Sequence, residues 1–287
     1  MNSPRDLRRR IKSVSGTSQI TKAMQMVAAS KMRKAQLAAT ASMPFARLLY
    51  RIQVSATSRM REFNDPLLTV RPVRKRAVIL VAADKGLCGA LNTNVFRLAS
   101  QFDQASTVYI TAGRKAAQFV ARTQRQLIAE FPYGDSPTFA EARAIAGFAR
   151  DLFVKQEVDE VKIIATRFVN TLTQEPVTLE YLPVGEIKGL RIPGVESLDA
   201  QSDHDEIEFE PGPEEVLGYL IGIYLNVYLY YVLLHAKASE QSARMVSMKN
   251  ATDAAADLIR DLKLEYNKLR QGNITRELLE IAGGQAE

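Results

Sequence analysis

The sequence predicts an α/β protein in which two long terminal helices pair as a coiled coil around an inserted α/β module. Three observations carry this reading. From Arg5 to Asn64 the chain is rich in Ala, Met, Lys, Arg and Gln, all good helix formers, with Pro44 as the one interior proline. After Pro213 no proline occurs to the end, so Glu214 to Ile281 reads as nearly one helix. Between these ends, short apolar runs alternate with helical stretches, the pattern of a largely parallel sheet.

Taken in order, the N-terminal helix is expected to kink or end its first segment at Pro44, where the ring removes a backbone donor. Asp65-Pro66 and Arg71-Pro72 then break it. Ala77–Ala83 (AVILVAA) is a continuous apolar run expected of a buried strand, and Thr107–Thr111 is a second. Gln126–Phe131 is a weaker third strand, Val161–Phe168 a fourth, and Val177–Leu182 alternates like a strand with one exposed face. Helices fall near Asn94–Phe102, Arg114–Arg122 and Thr138–Lys155. Gly185–Pro213, rich in Gly, Pro and acid, reads as a long loop or edge hairpin. The expected segments are therefore an N-terminal helix over 1–72, an α/β domain with an acidic loop over 73–212 and a C-terminal helix over 213–287.

At ~1.5 Å per residue the last helix would extend roughly 100 Å and needs a partner along its length. The N-terminal helix is the obvious one. The facing surfaces are read as Met24, Val27, Ala28, Ala35 and Ala38 against Ala236, Ser239, Ala243, Val246, Ala254 and Leu258. Small residues in such a seam let two backbones approach closely. Val216–Leu234 contains no formal charge and has the length of a membrane span. Its tyrosines are spread through it rather than gathered at the ends, and Asn226 sits in the middle, which favours a helix buried inside protein.

Charge is unevenly distributed. The net +6 is concentrated in the first helix: Arg5 to Arg51 holds eleven Lys or Arg and the single acid Asp6. Asp199–Glu215 holds eight acids and no base, and the chain from Lys237 onward is balanced. A basic stripe of this kind suits an acidic partner surface, a nucleic acid, a membrane or plain solvent. No aromatic residue interrupts it before Phe45, so base stacking is not prepared for. One cysteine, Cys88, excludes an internal disulfide and fits a reducing cytosol. The N-terminus has no apolar core of signal-peptide length, so no export is expected.

Candidate chemistry is sparse. Asp84–Asn94 (DKGLCGALNTN) follows the first strand and precedes a helix, where α/β folds place ligand loops. Gly86 and Gly89 could admit a phosphate, but neither a G-x-G-x-x-G nor a G-x-x-x-x-G-K-[ST] motif is present, and a simple turn explains them. Cys88 as a nucleophile would need a base; the two histidines, His204 and His235, have no sequence reason to reach it. Two histidines and one cysteine cannot make a Cys/His zinc cluster, and the acidic loop lacks EF-hand spacing. No catalytic residue, cofactor or metal site is expected.

Several strings nevertheless point one way. Ile20–Gln36 reads ITKAMQMVAASKMRKAQ, Asp84–Asn92 reads DKGLCGALN, Ala238–Thr252 reads ASEQSARMVSMKNAT, Glu265–Thr275 reads EYNKLRQGNIT and Glu280–Gly284 reads EIAGG. Together they resemble the gamma subunit of F-type ATP synthases, with Phe168–Pro176 and Phe209–Pro211 similar less distinctively. The resemblance implies an antiparallel left-handed coiled coil and a Rossmann-like insert, forming the central stalk inside a hexamer of α and β subunits. It implies further contacts with the epsilon subunit and the ring of c subunits, a peripheral place on the cytoplasmic face of the inner membrane, and no catalytic site or cofactor of its own. Proton flow would turn ring and shaft, and the basic face would meet an acidic loop of the β subunits. The matching strings place Met24 and Arg244 near that loop, and Arg270, Gln271, Thr275 and Glu277 among β-contacting residues that take part in coupling. Read alone, Met24 would be coil core and the others solvated helix surface. One departure stands out: Gly272-Asn273 follows Arg270-Gln271 where the family usually has Ala or Ala-Ser. Glycine inside a helix costs about 1 kcal/mol against alanine, so a softer shaft is expected there.

Overall fold

The computed structural model describes residues 3–58, 65–184, 209–210 and 212–283. The expected loop over Gly185–Pro213 and its acids thus fall mostly outside the described residues. The chain divides into two compact units: residues 1–29 with 244–287, and residues 30–243.

The first unit contains the ends of two helices, α1 (Pro4–Ser58) and α5 (Pro213–Gly283). They run antiparallel. The hydroxyls of Thr21 and Thr252 lie 2.7 Å apart, and the guanidinium of Arg8 sits 5.2 Å over the ring of Tyr266. Moving back 13 residues on α1 therefore moves forward 14 on α5. The buried positions obey a seven-residue period. On α1 they are Leu7, Thr21 and Ala28, with half-buried Val14 between; on α5 they are Met248, Ala255 and Leu262. A strict seven-residue repeat imposes a left-handed supercoil on helices of 3.6 residues per turn.

That frame corrects part of the predicted seam. Ala28 is buried as expected, but Val27 is 54% exposed, Leu258 is 48% exposed and Ala254 also faces solvent. Each stands one turn-angle or more off the heptad. Composition identifies a small-residue face without fixing its phase, and the phase is set by the partner.

The second unit is the α/β module with the remainder of both helices. Its five-stranded sheet has the order β3-β2-β1-β4-β5, from β1 (Arg76–Val81), β2 (Thr107–Ala112), β3 (Gln126–Phe131), β4 (Glu160–Phe168) and β5 (Gln174–Leu182). The first four are parallel and β5 is antiparallel to β4. The connecting helices are α2 (Leu91–Ala99), α3 (Arg114–Arg122) and α4 (Phe139–Val154). α3 and α4 fall where the sequence placed them. α4 starts at a capping box in which Thr138 and Glu141 satisfy each other's backbone donors. α2 begins three residues earlier than its apolar pattern suggested, directly after the turn at Ala90, with no side-chain cap. β1 and β2 are buried along nearly their whole length because helices cover both faces.

α1 runs as one helix through Pro44, so its first segment does not end there. Pro44 is exposed, and Thr40 before it faces solvent too, so the carbonyl that loses its amide partner is open to water. Packing on either side, at Ala35 and at Leu49 in the main core, offsets the proline. α5 likewise continues through Gly272-Asn273.

From Leu217 to Asn226 α5 buries one face, and from Val227 to Ser242 it is buried almost all round, with Ile221, Leu225, Leu229, Val232 and Leu233 in the same core cluster as the sheet and α4. The tyrosines pad this passage: the Tyr181 hydroxyl donates to the Leu225 carbonyl at 3.1 Å, and Tyr181 and Tyr228 rings lie 6.0 Å apart. α5 has the length and composition to cross a bilayer, yet 56% of its apolar window is buried within the protein. Asn226, half-buried, belongs to this packed helix, as the even spread of tyrosines predicted.

Two substitutions test the packing. Ala28→Leu inserts three carbons into the coil seam and should cost about 1–3 kcal/mol, whereas Val27→Leu, on the exposed face, should be nearly neutral; thermal melts separate them. Gly113 has φ +97°, and a Cβ there would sit 2.1 Å from the Ala82 carbonyl oxygen. Gly113→Ala should therefore destabilise the α/β unit by about 3 kcal/mol or more in urea titrations.

Candidate functional site

An open parallel sheet offers its ligand crevice where the strand order reverses, outside the carboxyl ends of the strands. Here that point lies between β1 and β4, since β1 is flanked by β2 on one side and β4 on the other. The crevice is filled by the chain itself. Ser239 of α5 donates to the Thr166 carbonyl on β4 at 3.5 Å, and Ser242 donates to the Thr171 carbonyl at 2.7 Å. Ala243 packs on Ala83, Cys88 and Leu91 at the mouth of β1. The segment Ala236–Ser242 is buried throughout, and its small residues let α5 lie directly on the strand ends.

The glycine-containing loop is correspondingly a turn. Leu87 and Gly89 take positive φ (62° and 59°). The Asn92 side chain closes the loop: its oxygen accepts from the Ala83 amide at 3.1 Å and its nitrogen donates to Cys88 Sγ at 3.5 Å. Cys88 is 2% exposed and packed beneath α5; His204 lies outside the described residues. The site is a structural joint that places α5 on the sheet. Among the described residues no cluster of three or more His, Cys, Asp or Glu could hold a metal.

What remains open to a partner is the helix surface. Met24 is half-buried on α1, and Arg244 is 8% exposed on α5, both in the coil unit. Arg270, Gln271 and Thr275 are exposed along one stretch of α5, and the Thr275 hydroxyl donates back to the Gln271 carbonyl at 2.9 Å. Glu277 lies on the same helix; its side chain falls outside the described residues. The expected residues thus divide between the seam and its margin (Met24, Arg244) and the far end of α5. Sequence reasoning missed their apolar company. Ile20 and Val27 on α1, and Ile274, Leu278 and Leu279 on α5, are 46–67% exposed in the isolated chain. These are large apolar side chains at positions the heptad leaves unused, and periodicity read in the correct frame would have found them. Beside them Arg5, Arg9, Arg10, Lys12, Lys22, Arg33 and Lys34 are exposed, so the basic stripe does face outward.

The family model described as ATP synthase matches residues 3–286. The ATP synthase gamma chain of Opitutus terrae is 45% identical over 99% of this chain and 98% of its own length. That of Methylacidiphilum infernorum is 40% identical over 99% of each. The chain belongs to the ATP synthase gamma chain family. Solved structures agree on the fold. The rotor of the Euglena gracilis mitochondrial ATP synthase has a TM-score of 0.65 at 18% identity, covering 94% of this chain and 98% of that one. The central stalk and c-ring structure of the Tetrahymena thermophila mitochondrial enzyme gives 0.58 at 23% identity, covering 81% and 99%. The match runs through both helices and the insert.

One half-buried titratable group lies where α5 passes the sheet. His235 stacks on Tyr231 with ring centroids 4.1 Å apart, and its Nδ1 is buried with no hydrogen-bond partner. Burial, reinforced by the nearby Arg167 charge and opposed by a hydrogen bond with the Phe168 backbone, pushes its pKa down to about 4. The folded chain therefore keeps His235 neutral while the unfolded chain protonates it below its ordinary value near 6.5. Stability from this group is full above that value and falls as pH drops toward 4. Between pH 7 and pH 5 the loss should be about 2 kcal/mol, and His235→Phe should remove it. Urea midpoints at the two pH values measure the difference; equal losses in wild type and variant would refute the assignment.

Proposed function

We propose that this chain is the rotor shaft of an F-type ATP synthase, coupling rotation of a membrane ring to ATP synthesis or hydrolysis in β subunits, with no catalytic site of its own. Segments 1–72 and 213–287 form the shaft and 73–212 its α/β head. The observation that carries the reading is the antiparallel helix pair, whose heptad seam is closed while basic and large apolar side chains face outward. Family membership supports the assignment, and the filled crevice at the β1/β4 reversal leaves the α/β fold without its usual ligand position.

A shaft can alter a β site only through contacts that differ between its orientations. Two helices of unlike surface supply such a difference: α1 is basic, whereas the far part of α5 carries mixed charge and apolar residues. The cationic stripe would meet acidic β loops, and Met24, Arg244, Arg270, Gln271, Thr275 and Glu277 would make the contacts that report angle to the catalytic sites. The α and β subunits, the epsilon subunit and the c-ring are the partners this role requires. Driven by protons, the assembly would sit peripherally on the cytoplasmic face of the inner membrane.

The isolated chain should hydrolyse no ATP, and it should co-purify stoichiometrically with α and β. In the reconstituted complex, Arg270→Ala with Gln271→Ala should lower ATP-driven proton pumping several-fold more than it lowers hydrolysis, because each lost interfacial contact weakens coupling by about 1–2 kcal/mol. A native, rotation-competent ATPase lacking this chain would refute the proposal.

A further inference from the structure

The loop between β3 and α4, residues 132–138, touches more of the α/β unit than its length would suggest. It is held rigidly at its base. Glu141, in the first turn of α4, accepts from the Gly134 amide at 3.0 Å and from the Thr138 amide at 2.6 Å, and the Thr138 hydroxyl donates to it at 2.9 Å. The Glu141 amide donates back to the Thr138 hydroxyl at 3.2 Å. A carboxylate tied this way fixes both ends of a five-residue span.

From that base two side chains reach the two long helices. Tyr133 is 3% exposed; its hydroxyl donates to the Ala82 carbonyl at the end of β1 at 3.1 Å. Its ring lies 4.6 Å beneath the ammonium of Lys237 on α5. Lys237 is fully buried and pairs with Glu240 one turn on, at 2.9 Å. Asp135 forms an ion pair with Lys31 of α1. Gly113 lines the same place: its missing side chain is what lets the Ala82 carbonyl and the Tyr133 ring come together.

The long helices also meet the module through apolar packing, which is non-directional, and through the neutral hydrogen bonds of Ser239, Ser242 and Tyr181. A buried ammonium held over a ring and against a carboxylate is directional, and displacing it strands a charge in a low-dielectric interior. The second grip, Lys31 with Asp135, is partly exposed and can be changed without opening the core.

We propose that this loop is a collar that locks the α/β head to both helices against rotation, so that turning force passes through the Tyr133–Lys237 and Asp135–Lys31 contacts. The inference rests on the rotor reading above and adds to it the place where torque crosses from head to shaft. Tyr133, Asp135, Lys31 and Lys237 are positioning residues in this scheme; none touches a nucleotide.

The test uses the assembled complex, reconstituted in vesicles, with a bead on the rotor for angular fluctuations. Asp135→Lys places two cations together. It should lower the shaft's torsional stiffness and the ratio of proton pumping to ATP hydrolysis by about threefold, with hydrolysis itself within about twofold of wild type. Asp135→Asn should give a smaller change in the same direction. The exchanged pair, Lys31→Asp with Asp135→Lys, should restore both readouts, which a merely local loss of stability would not predict. Unchanged stiffness and coupling in both single variants would overturn the collar, as would failure of the exchanged pair to restore them. A wild-type complex that couples no rotation to this chain would instead overturn the rotor reading itself.

Discussion

The close passage of α5 across the carboxyl ends of β1 and β4 is the constraint on which the α/β unit depends. It requires small side chains at Ala236, Ala238, Ser239, Ser242 and Ala243, because a larger one would lift the helix off the strand ends. Once the helix lies there, Ser239 and Ser242 donate to the carbonyls of Thr166 and Thr171. Cys88 becomes a packed thiol, and the loop over Asp84–Asn92 becomes a turn closed by Asn92. One contact thus shapes both the strand ends and the loop above them.

The same helix serves two environments in succession. Its first half is apolar nearly all round, as befits a helix buried by a sheet and by α4. Its second half narrows to a heptad seam with Met248, Ala255 and Leu262 inward and charges outward. α1 mirrors this with one continuous seven-residue frame from Leu7 to Ala56. A thin seam closes with less apolar area than a broad one, so large apolar side chains such as Ile274 and Leu278 remain outside it.

Much of this was legible in the sequence because the signals are strong and local. Four strands and two helices fall where apolar runs and caps placed them, and the absence of proline after Pro213 foretold the length of α5. The errors share one cause. Val27, Ala254 and Leu258 were assigned inward because composition shows a face but not its phase. Pro44 was expected to kink or end α1, and the helix does not end there: a local penalty is visible in a sequence, whereas burial on either side, at Ala35 and Leu49, is not. The β4–β5 hairpin was longer than its apolar core suggested, since Gln174–Pro176 is recruited by pairing with β4 rather than by its own propensity.

The sequence by itself determined the elements, the lopsided charge of α1, the family, and the lack of known nucleotide motifs, because each is written in residue type and spacing along the chain. The tertiary structure alone decided which residues of each helix turn inward, that α5 occupies the crevice of its own sheet, and that Lys237 and Lys31 are held by one loop. Those facts depend on pairs separated by up to two hundred residues or more, such as Thr21 with Thr252. Spacing along one chain carries no information about where a distant partner will sit until the backbone brings the two together.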